Sequence, residues 1–390
     1  MFWSKLKEIR WGAVTPSLIY ILIIIVPMVF YPIEINGSRI DLRTIRDISF
    51  YSFAVIICSF LQKNIWLSLF MFWCVFNWWA NFFIPSNAYV GLTGILSALI
   101  IYITMKHLLS KKILSSDTIL RIICNLAIFQ FIWIFVQKFS KDPIFYNVTQ
   151  NGDPLNNIAM IICGWSGNPS LLGVFFAITA FLLLDYYKVK GFPIVFFIIL
   201  SSLLIIKNFT TALCFLSGGM FYITYKYWKS KKYIVLGIVT LLLLISGYIY
   251  YVKKPNFDRL FLWKALIKFG LKVRPIIGRG INFFSTLNII DKTGTPWKEV
   301  HNEYLQIFFE LGGVGLFLFL GFIYSKFREF FSKVRNNKQL CIMSCLVAYI
   351  VSGVSLFPFH IAQLSFIAIM LLVCLEDSYS VADSISTVSS

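Results

Sequence analysis

The sequence predicts an all-α integral membrane protein with about twelve transmembrane helices and one large, partly helical outer loop. Hydrophobic residues make up 58% of the 390-residue chain and charged residues only 13%, a balance that a water-soluble domain does not sustain. The mean hydropathy of +0.79 indicates the same class. Apolar runs of roughly 17–25 residues, long enough for a helix to cross a hydrocarbon core of about 30 Å, recur along the whole chain.

The apolar runs define the spans in order, and together they predict one polytopic membrane domain over residues 1–390. The predicted spans lie at 13–33, 46–61, 65–84, 87–105, 118–137, 165–184, 192–207, 210–225, 233–251, 305–324, 340–357 and 361–375. Basic residues precede the first span and no small-residue cleavage site follows it, so we expect a retained helix rather than a removable signal peptide.

Basic residues fall unequally on the two sides of these spans, which predicts the orientation of the chain. With the N-terminus in the cytoplasm, lysine- and arginine-rich connections such as 226–232 and 326–338 are cytoplasmic, whereas the short outer loops hold fewer basic residues. Both termini are then cytoplasmic, and residues 377–390 form a cytoplasmic tail that we expect to be disordered. Membrane topology and lipid contact account for the net charge of +18. We therefore expect no nucleic-acid partner.

Two outer segments are longer than the other connections. Residues 138–170 are rich in Asn, Gly and Pro, which predicts irregular structure. Residues 253–303 are strongly basic, and apolar side chains recur at helical spacing between Phe257 and Phe269. This pattern predicts an amphipathic helix on the outer membrane face. The basic excess fits either anionic lipid headgroups or a phosphorylated substrate, and composition alone does not separate the two.

A polar group at the end of the second segment directly precedes an apolar helix. The stretch "HNEYLQIFFELGGVGLFLFL" begins with His301, and we expect the helix to begin there as well, with His301 and Tyr304 on one face. Glu310 lies inside the apolar run, where a lipid-facing carboxylate costs about 2.5–3.5 kcal/mol. We therefore expect it to face protein and to pair with a basic group. Of the other histidines, His107 is expected to be structural and His360 is a weaker functional candidate.

The eight cysteines and the acidic residues show no metal-ligand spacing. We expect the cysteines to act as small apolar residues, and we expect no metal and no cofactor.

Several stretches together resemble the signature region of a known family. These are Arg259 with "LFLW", then "RPIIGRGINFF", then "HNEYLQIFFELGGVGLFLFL". They are similar to the corresponding region of the O-antigen ligase and O-antigen polymerase superfamily, bacterial polytopic membrane glycosyltransferases. The resemblance is strong over about 255–325 and weaker at 167–184 and at "VSGVSLFPFH". The family often has Ser-Arg before one helix, whereas this chain has "KNFTTALCFLSGG", without arginine.

The resemblance implies a glycosyltransferase C-like fold in the bacterial inner membrane, with 138–170, 253–303 and the active site on the periplasmic side. It implies transfer of a glycan from an undecaprenyl-pyrophosphate-linked oligosaccharide to an acceptor hydroxyl. The acceptor is a second glycan in a polymerase and lipid A-core in a ligase. The polymerase is favoured because no dedicated lipid A-core site is marked, and we expect residues 138–170 to recognise the acceptor.

The resemblance and the chemistry of the residues together assign roles. Histidine can accept the proton of the attacking hydroxyl, and arginine can hold the departing pyrophosphate. The predicted catalytic residues are His301, Arg259 and Arg279, and the predicted substrate-binding residues are Arg274, Asn302, Glu303 and Tyr304. Asn302 and Glu303 would hold sugar hydroxyls or orient the imidazole.

The main alternative is a transporter, such as a flippase for lipid-linked oligosaccharides, which would share the spans and the basic surface. Transporters often show internal repeats, interrupted helices and ionisable residues near the midplane. The sequence shows no clear repeat, and Glu310 is almost the only central charge. A membrane scaffold without chemistry would leave the polar group around His301 unexplained.

Overall fold

The computed structural model describes residues 54, 64–81, 88–139, 169–186, 209–227, 258–287, 289, 297, 299–334 and 336–388. Across these residues the chain forms nine α-helices and two short 3₁₀-helices, and no β-strand occurs there. The α-helices are α1 (Ile65–Ala80), α2 (Ala88–Ser110), α3 (Ser116–Phe139), α4 (Pro169–Tyr186), α5 (Phe209–Tyr227), α6 (Asp258–Lys272), α7 (Glu303–Lys333), α8 (Asn337–Ser352) and α9 (Ala362–Val388). The 3₁₀-helices are Phe284–Thr286 and Pro358–His360.

The all-helical class is confirmed, but the described residues do not show twelve transmembrane helices. By length and composition, two helical stretches could cross a membrane, Ser116–Val136 of α3 and Glu303–Lys333 of α7. Helices α1, α2, α4 and α8 contain shorter apolar stretches. The predicted spans 13–33, 192–207 and 233–251, almost all of 46–61 and most of the segment 138–170 lie outside the described residues.

Several predicted boundaries need correction, since α8 ends at Ser352 rather than at 357 and α7 continues to Lys333 rather than ending at 324. Helix α8 begins at Asn337 rather than at 340, because Asn336 and Gln339 form a reciprocal capping box ahead of it. Helix α9 continues to Val388, so residues 377–388, predicted to be disordered, are helical. The helix predicted from the apolar spacing after Phe257 is confirmed as α6.

The helices form one large apolar core and three smaller apolar clusters, which include the buried faces of α1 and α6. Helices α4, α5 and α8 lie against one another, α9 packs on α2, α3 and α8, and both α1 and α6 pack on α7. Glycine lets α5 approach its neighbours closely, since a Cβ at Gly218 would lie 2.5 Å from the Phe181 ring and 2.8 Å from the Ser344 carbonyl. The six cysteines among the described residues are buried, as expected for apolar packing residues.

Polar contacts between distant parts of the chain gather at two ends of the bundle. At one end, here called the Lys326 end, Glu376 of α9 pairs with Lys326 of α7 at 2.5 Å and with Lys106 of α2 at 2.8 Å. At the other, the His301 end, Thr210 of α5 bonds Ser355 at 2.9 Å. The two ends are separated by roughly 35 Å along α7, at about 1.5 Å per residue. This separation is comparable to the thickness of a hydrocarbon core.

Helix α7 is interrupted at Gly312, whose φ of 72° and ψ of −175° are not helical. The loop after α6 fits into the interruption and bonds the backbone groups that lose their helical partners. The hydrogen bonds are Arg279 N–H to Phe309 O (3.1 Å), Gly280 N–H to Glu310 O (2.9 Å), Gly313 N–H to Pro275 O (2.8 Å) and Trp73 Nε1–H to Leu311 O (2.8 Å). The prediction of one continuous span at 305–324 is therefore wrong at Gly312, because a distant loop replaces the helical bonds there.

Candidate active site

The site is built on the start of α7, where Asn302 caps the helix. Its Oδ1 accepts a hydrogen bond from the Leu305 N–H at 3.0 Å, the contact for which asparagine is favoured at this position. The helix therefore begins at Glu303 and not at His301. His301 lies before the cap with φ of 55°, so the prediction that it shares a helical face with Tyr304 is wrong.

The backbone on either side of His301 is fixed. The Trp263 indole of α6 donates to the Val300 carbonyl at 2.9 Å, and the Val300 N–H donates to Gln306 Oε1 at 3.3 Å. With Asn302 bonded to α7 on the other side, these contacts hold His301 in a left-handed conformation that is uncommon outside glycine. Such outliers persist only where the surrounding structure enforces them.

The imidazole of His301 lies between two aromatic rings. The ring of Trp297 meets it edge-on at 5.0 Å between centroids, and the ring of Phe357 meets it edge-on at 4.9 Å. Its Nδ1 is buried and has no hydrogen-bond partner among the described residues. Burial, together with the positive charge of Arg259, lowers the pKa of His301 to about 4. The ring is therefore neutral at pH 7 and can accept a proton.

Arg259 is the predicted arginine that the structure brings to His301. It lies in the first turn of α6, and its guanidinium donates to the Ser355 carbonyl at 3.1 Å. Ser355 lies two residues before Phe357, which packs on His301. A fixed cation and a neutral imidazole thus share one end of the bundle, a pairing suited to an anionic leaving group and a proton acceptor.

Arg274 and Arg279 lie at the interruption of α7 instead. The Arg279 guanidinium sits over the Phe269 ring at 4.7 Å and its Nε is buried without a hydrogen-bond partner among the described residues. Arg274 donates to Asn81 Oδ1 at 2.5 Å. Burial and the charge of Arg274 lower the pKa of Arg279. The backbone of Arg279 bonds Phe309, roughly 10 Å along α7 from the cap.

The polar side chains at the start of α7 bond the end of α8 and the segment between α8 and α9. Asn302 Nδ2 donates to the Val354 carbonyl at 2.9 Å, and the Tyr304 hydroxyl donates to the Ile350 carbonyl at 2.7 Å. The Glu303 carboxylate pairs with His360 Nδ1 at 2.9 Å. Glu303 does orient an imidazole, but it is the ring of His360 rather than that of His301. A substrate-binding role for these three residues stays a prediction.

Glu310 belongs to a buried polar network and is not paired with a basic side chain by hydrogen bonding. Its carboxylate accepts from the backbone N–H groups of Asn282 at 2.8 Å and Phe284 at 3.3 Å, and from Gln306 Nε2 at 3.4 Å. The expected basic group is His360, whose charge acts on Glu310 without a hydrogen bond between them. The hydrogen bonds come from backbone donors because the loop after α6 reaches this face of α7. Gln306 also donates to Glu299 at 2.9 Å, and burial raises the pKa of Glu299.

Sequence reasoning missed Phe357, Trp297 and Gln306, which shape the surroundings of His301. The only sequence signal for Phe357 was the weak family resemblance of "VSGVSLFPFH". That resemblance did not assign a function to any residue in the stretch. Within the described residues, no group of three or more His, Cys, Asp or Glu is arranged to hold a metal ion.

Comparison with known proteins gives partial similarity. No protein-family model matches the chain. A Rickettsia bellii (strain RML369-C) protein named "Putative polysaccharide ligase" is 26% identical over 198 residues, covering 45% of this chain and 48% of that protein. A Rickettsia conorii (strain ATCC VR-613 / Malish 7) protein with a "Putative polysaccharide ligase" name is 26% identical over 207 residues, covering 47% and 50%. The chain thus spans about half the length of the curated relatives it matches.

Proposed function

We propose that this protein is a bacterial inner-membrane glycosyltransferase. It would transfer a glycan from an undecaprenyl-pyrophosphate-linked oligosaccharide to an acceptor hydroxyl at the periplasmic face, as an O-antigen polymerase or ligase. The main support is the neutral, half-buried imidazole of His301 beside the cation of Arg259. The polysaccharide ligase names of the relatives support the same class of reaction.

In the proposed reaction, the acceptor oxygen attacks the anomeric carbon of the donor while His301 takes its proton. The bond between that carbon and the pyrophosphate oxygen breaks, and the lipid pyrophosphate leaves with its electron pair. Arg259 stabilises the charge that develops on the leaving group. Arg279 and Arg274 would hold a more distant part of the anionic donor, at the interruption of α7.

The donor itself would strengthen the base. The charge of Arg259 is one of the two causes that lower the pKa of His301. A pyrophosphate bound to Arg259 would offset that charge and raise the pKa of His301 toward the pH at which the enzyme works. His301 would then accept a proton most readily when the donor is in place.

A flippase for lipid-linked oligosaccharides is the second candidate, and the interruption of α7 is the observation that favours it. In transporters the backbone groups at such interruptions bind the substrate or an ion. Here the loop after α6 and Trp73 bond several of those groups, which favours a structural interruption and therefore the transferase.

Reconstitution separates the two candidates. Purified protein is mixed with a lipid-linked glycan that is already accessible, together with an acceptor, and product is measured. A transferase forms product under these conditions, whereas a flippase does not. His301→Ala is expected to lower the rate at least about 100-fold, the usual contribution of general base catalysis. His107→Ala, at the end of α2, is the matched control and should retain activity. A loss below tenfold for His301→Ala would contradict the catalytic role.

Polymerase and ligase differ in the glycans left at the cell surface when the gene is deleted. Single repeat units attached to lipid A-core would indicate a lost polymerase. Full chains stranded on the carrier lipid would indicate a lost ligase.

A further inference from the structure

The segment Gly353–His360, here called the strap, connects α8 to α9 and forms one wall around His301. The start of α7 holds its first half, since the Glu303 N–H donates to the Gly353 carbonyl at 2.8 Å and Asn302 donates to the Val354 carbonyl at 2.9 Å. Its middle is held by Arg259 through the Ser355 carbonyl. The strap then presents Phe357 to the imidazole of His301, with ring centroids 4.9 Å apart.

The second half of the strap is held by a carboxylate of α7 together with two hydroxyls, since Tyr349 and Ser365 donate to the Pro358 carbonyl at 3.2 and 3.0 Å. Glu303 is 1% exposed, and its Oε1 lies 2.9 Å from His360 Nδ1. Its Oε2 accepts from the Phe359 N–H at 3.2 Å. Phe359 and His360 are therefore both bonded to the side chain of Glu303 in the first turn of α7. Because Phe357 lies between these bonds and that of Ser355, its position depends on both.

We propose that Glu303 and His360 are positioning residues, whose hydrogen bond holds the strap so that Phe357 closes the space around the His301 imidazole, here called the slot, on the side opposite Trp297. Within the proposed transferase, and resting on that function, they act through Phe357 and do not touch the reacting atoms. The pair would keep the slot narrow and dry, which keeps the imidazole neutral and oriented.

The charges that face both histidines agree with this assignment. His360 meets Glu303 and Glu310 from α7 and Glu299 from the preceding loop, while His301 meets Arg259 from α6. Burial works to lower the pKa of His360, but the three carboxylates outweigh it and raise that pKa to about 10. His360 is then charged over the whole working range, and the pair with Glu303 persists. One edge of the ring still reaches solvent, with 32% of the side chain exposed.

Two substitutions of His360 test whether its bond to Glu303 holds the strap. His360→Asn places an amide N–H near the position of Nδ1–H and keeps a donor for Glu303, whereas His360→Leu has a similar size and no donor. We expect His360→Leu to lower kcat about tenfold or more and to move the acid limb of the pH–rate profile upward by about one unit, because the His301 slot opens to water. His360→Asn should stay near the wild type in both. Phe357→Ala should reproduce the shift of the acid limb with the Glu303–His360 pair intact.

A labelling measurement distinguishes failure of this proposal from failure of the proposed function. Diethyl pyrocarbonate modifies accessible, neutral imidazoles. The folded, reconstituted protein is labelled at pH 7 without any transfer reaction and then digested, and mass spectrometry measures how much of the peptide that contains His301 is modified. We expect slow modification of His301 in the wild type and in His360→Asn, and at least fivefold faster modification in His360→Leu and Phe357→Ala. Unchanged labelling in His360→Leu would overturn the positioning role even if the wild type transfers glycan. If His301 is labelled faster in His360→Leu and Phe357→Ala but the wild type transfers no glycan, the positioning role of Glu303 and His360 is supported and the transferase function is rejected.

Discussion

Replacing Gly312 by alanine tests the account of the interruption in α7. The φ of 72° at Gly312 is a conformation that alanine rarely adopts. An added Cβ would lie 2.1 Å from the Ile276 carbonyl oxygen and 2.4 Å from its carbon, both backbone atoms that cannot rotate away. The loop after α6 would have to leave the interruption. Gly313 is the matched control, since its nearest atom to an added Cβ is the Pro275 carbonyl oxygen at 3.4 Å.

The size of the effect follows from these contacts. Backbone strain at a positive φ costs about 1–3 kcal/mol. Separation of the loop loses several backbone hydrogen bonds at about 1 kcal/mol each. Together they give a loss of about 3–5 kcal/mol for Gly312→Ala, which corresponds to a lower melting temperature by roughly 4–6 °C for a chain of 390 residues. Gly313→Ala should stay within about 1 kcal/mol of the wild type.

The assay uses cysteines that the fold buries. Cys74, Cys214 and Cys345 are inaccessible in the folded chain and react with a thiol-sensitive dye when it unfolds. Purified wild type, Gly312→Ala and Gly313→Ala are heated with the dye under the same conditions. Melting of Gly312→Ala at the temperature of Gly313→Ala would refute the reasoning, because the loop would then not depend on the glycine.

Three further predictions concern the site and the opposite end of the bundle. Arg259→Gln removes a charge that lowers the pKa of His301, so the acid limb of the pH profile of kcat/KM should move upward from about pH 4. Arg274→Gln should leave the acid limb in place. An unmoved limb in Arg259→Gln would contradict the effect of the Arg259 charge on His301. Lys326→Met removes one partner of Glu376, whose side chain is 10% exposed, and leaves Lys106 as the other. Melting should therefore show a loss of about 3 kcal/mol, the lower end for a broken buried pair, with an unchanged acid limb; wild-type melting would argue against the pair. Transfer should persist in EDTA, because the sequence of the outer loops shows no acidic residues at metal-ligand spacing; complete loss restored by Mg²⁺ would argue otherwise.

The local features of this protein could be predicted from the sequence. Hydropathy and periodicity act over one helix at a time, so they predicted the helical class, the extent of α3 to within two residues, and the helix α6 after Phe257. The polar group before α7 was recognisable for the same reason, because His301, Asn302 and Glu303 stand directly before an apolar run. These inferences needed no knowledge of which segments meet in space.

The contacts between distant segments were decided by the tertiary structure. Glu303 binds His360, Arg259 rather than Arg279 lies beside His301, and Glu310 is bonded by backbone amides of the loop after α6. Each depends on where a loop docks, and side-chain spacing along one helix carries no information about that. The interruption at Gly312 has the same origin, since the docked loop and Trp73 of α1 supply hydrogen bonds that an unbroken helix would have made internally.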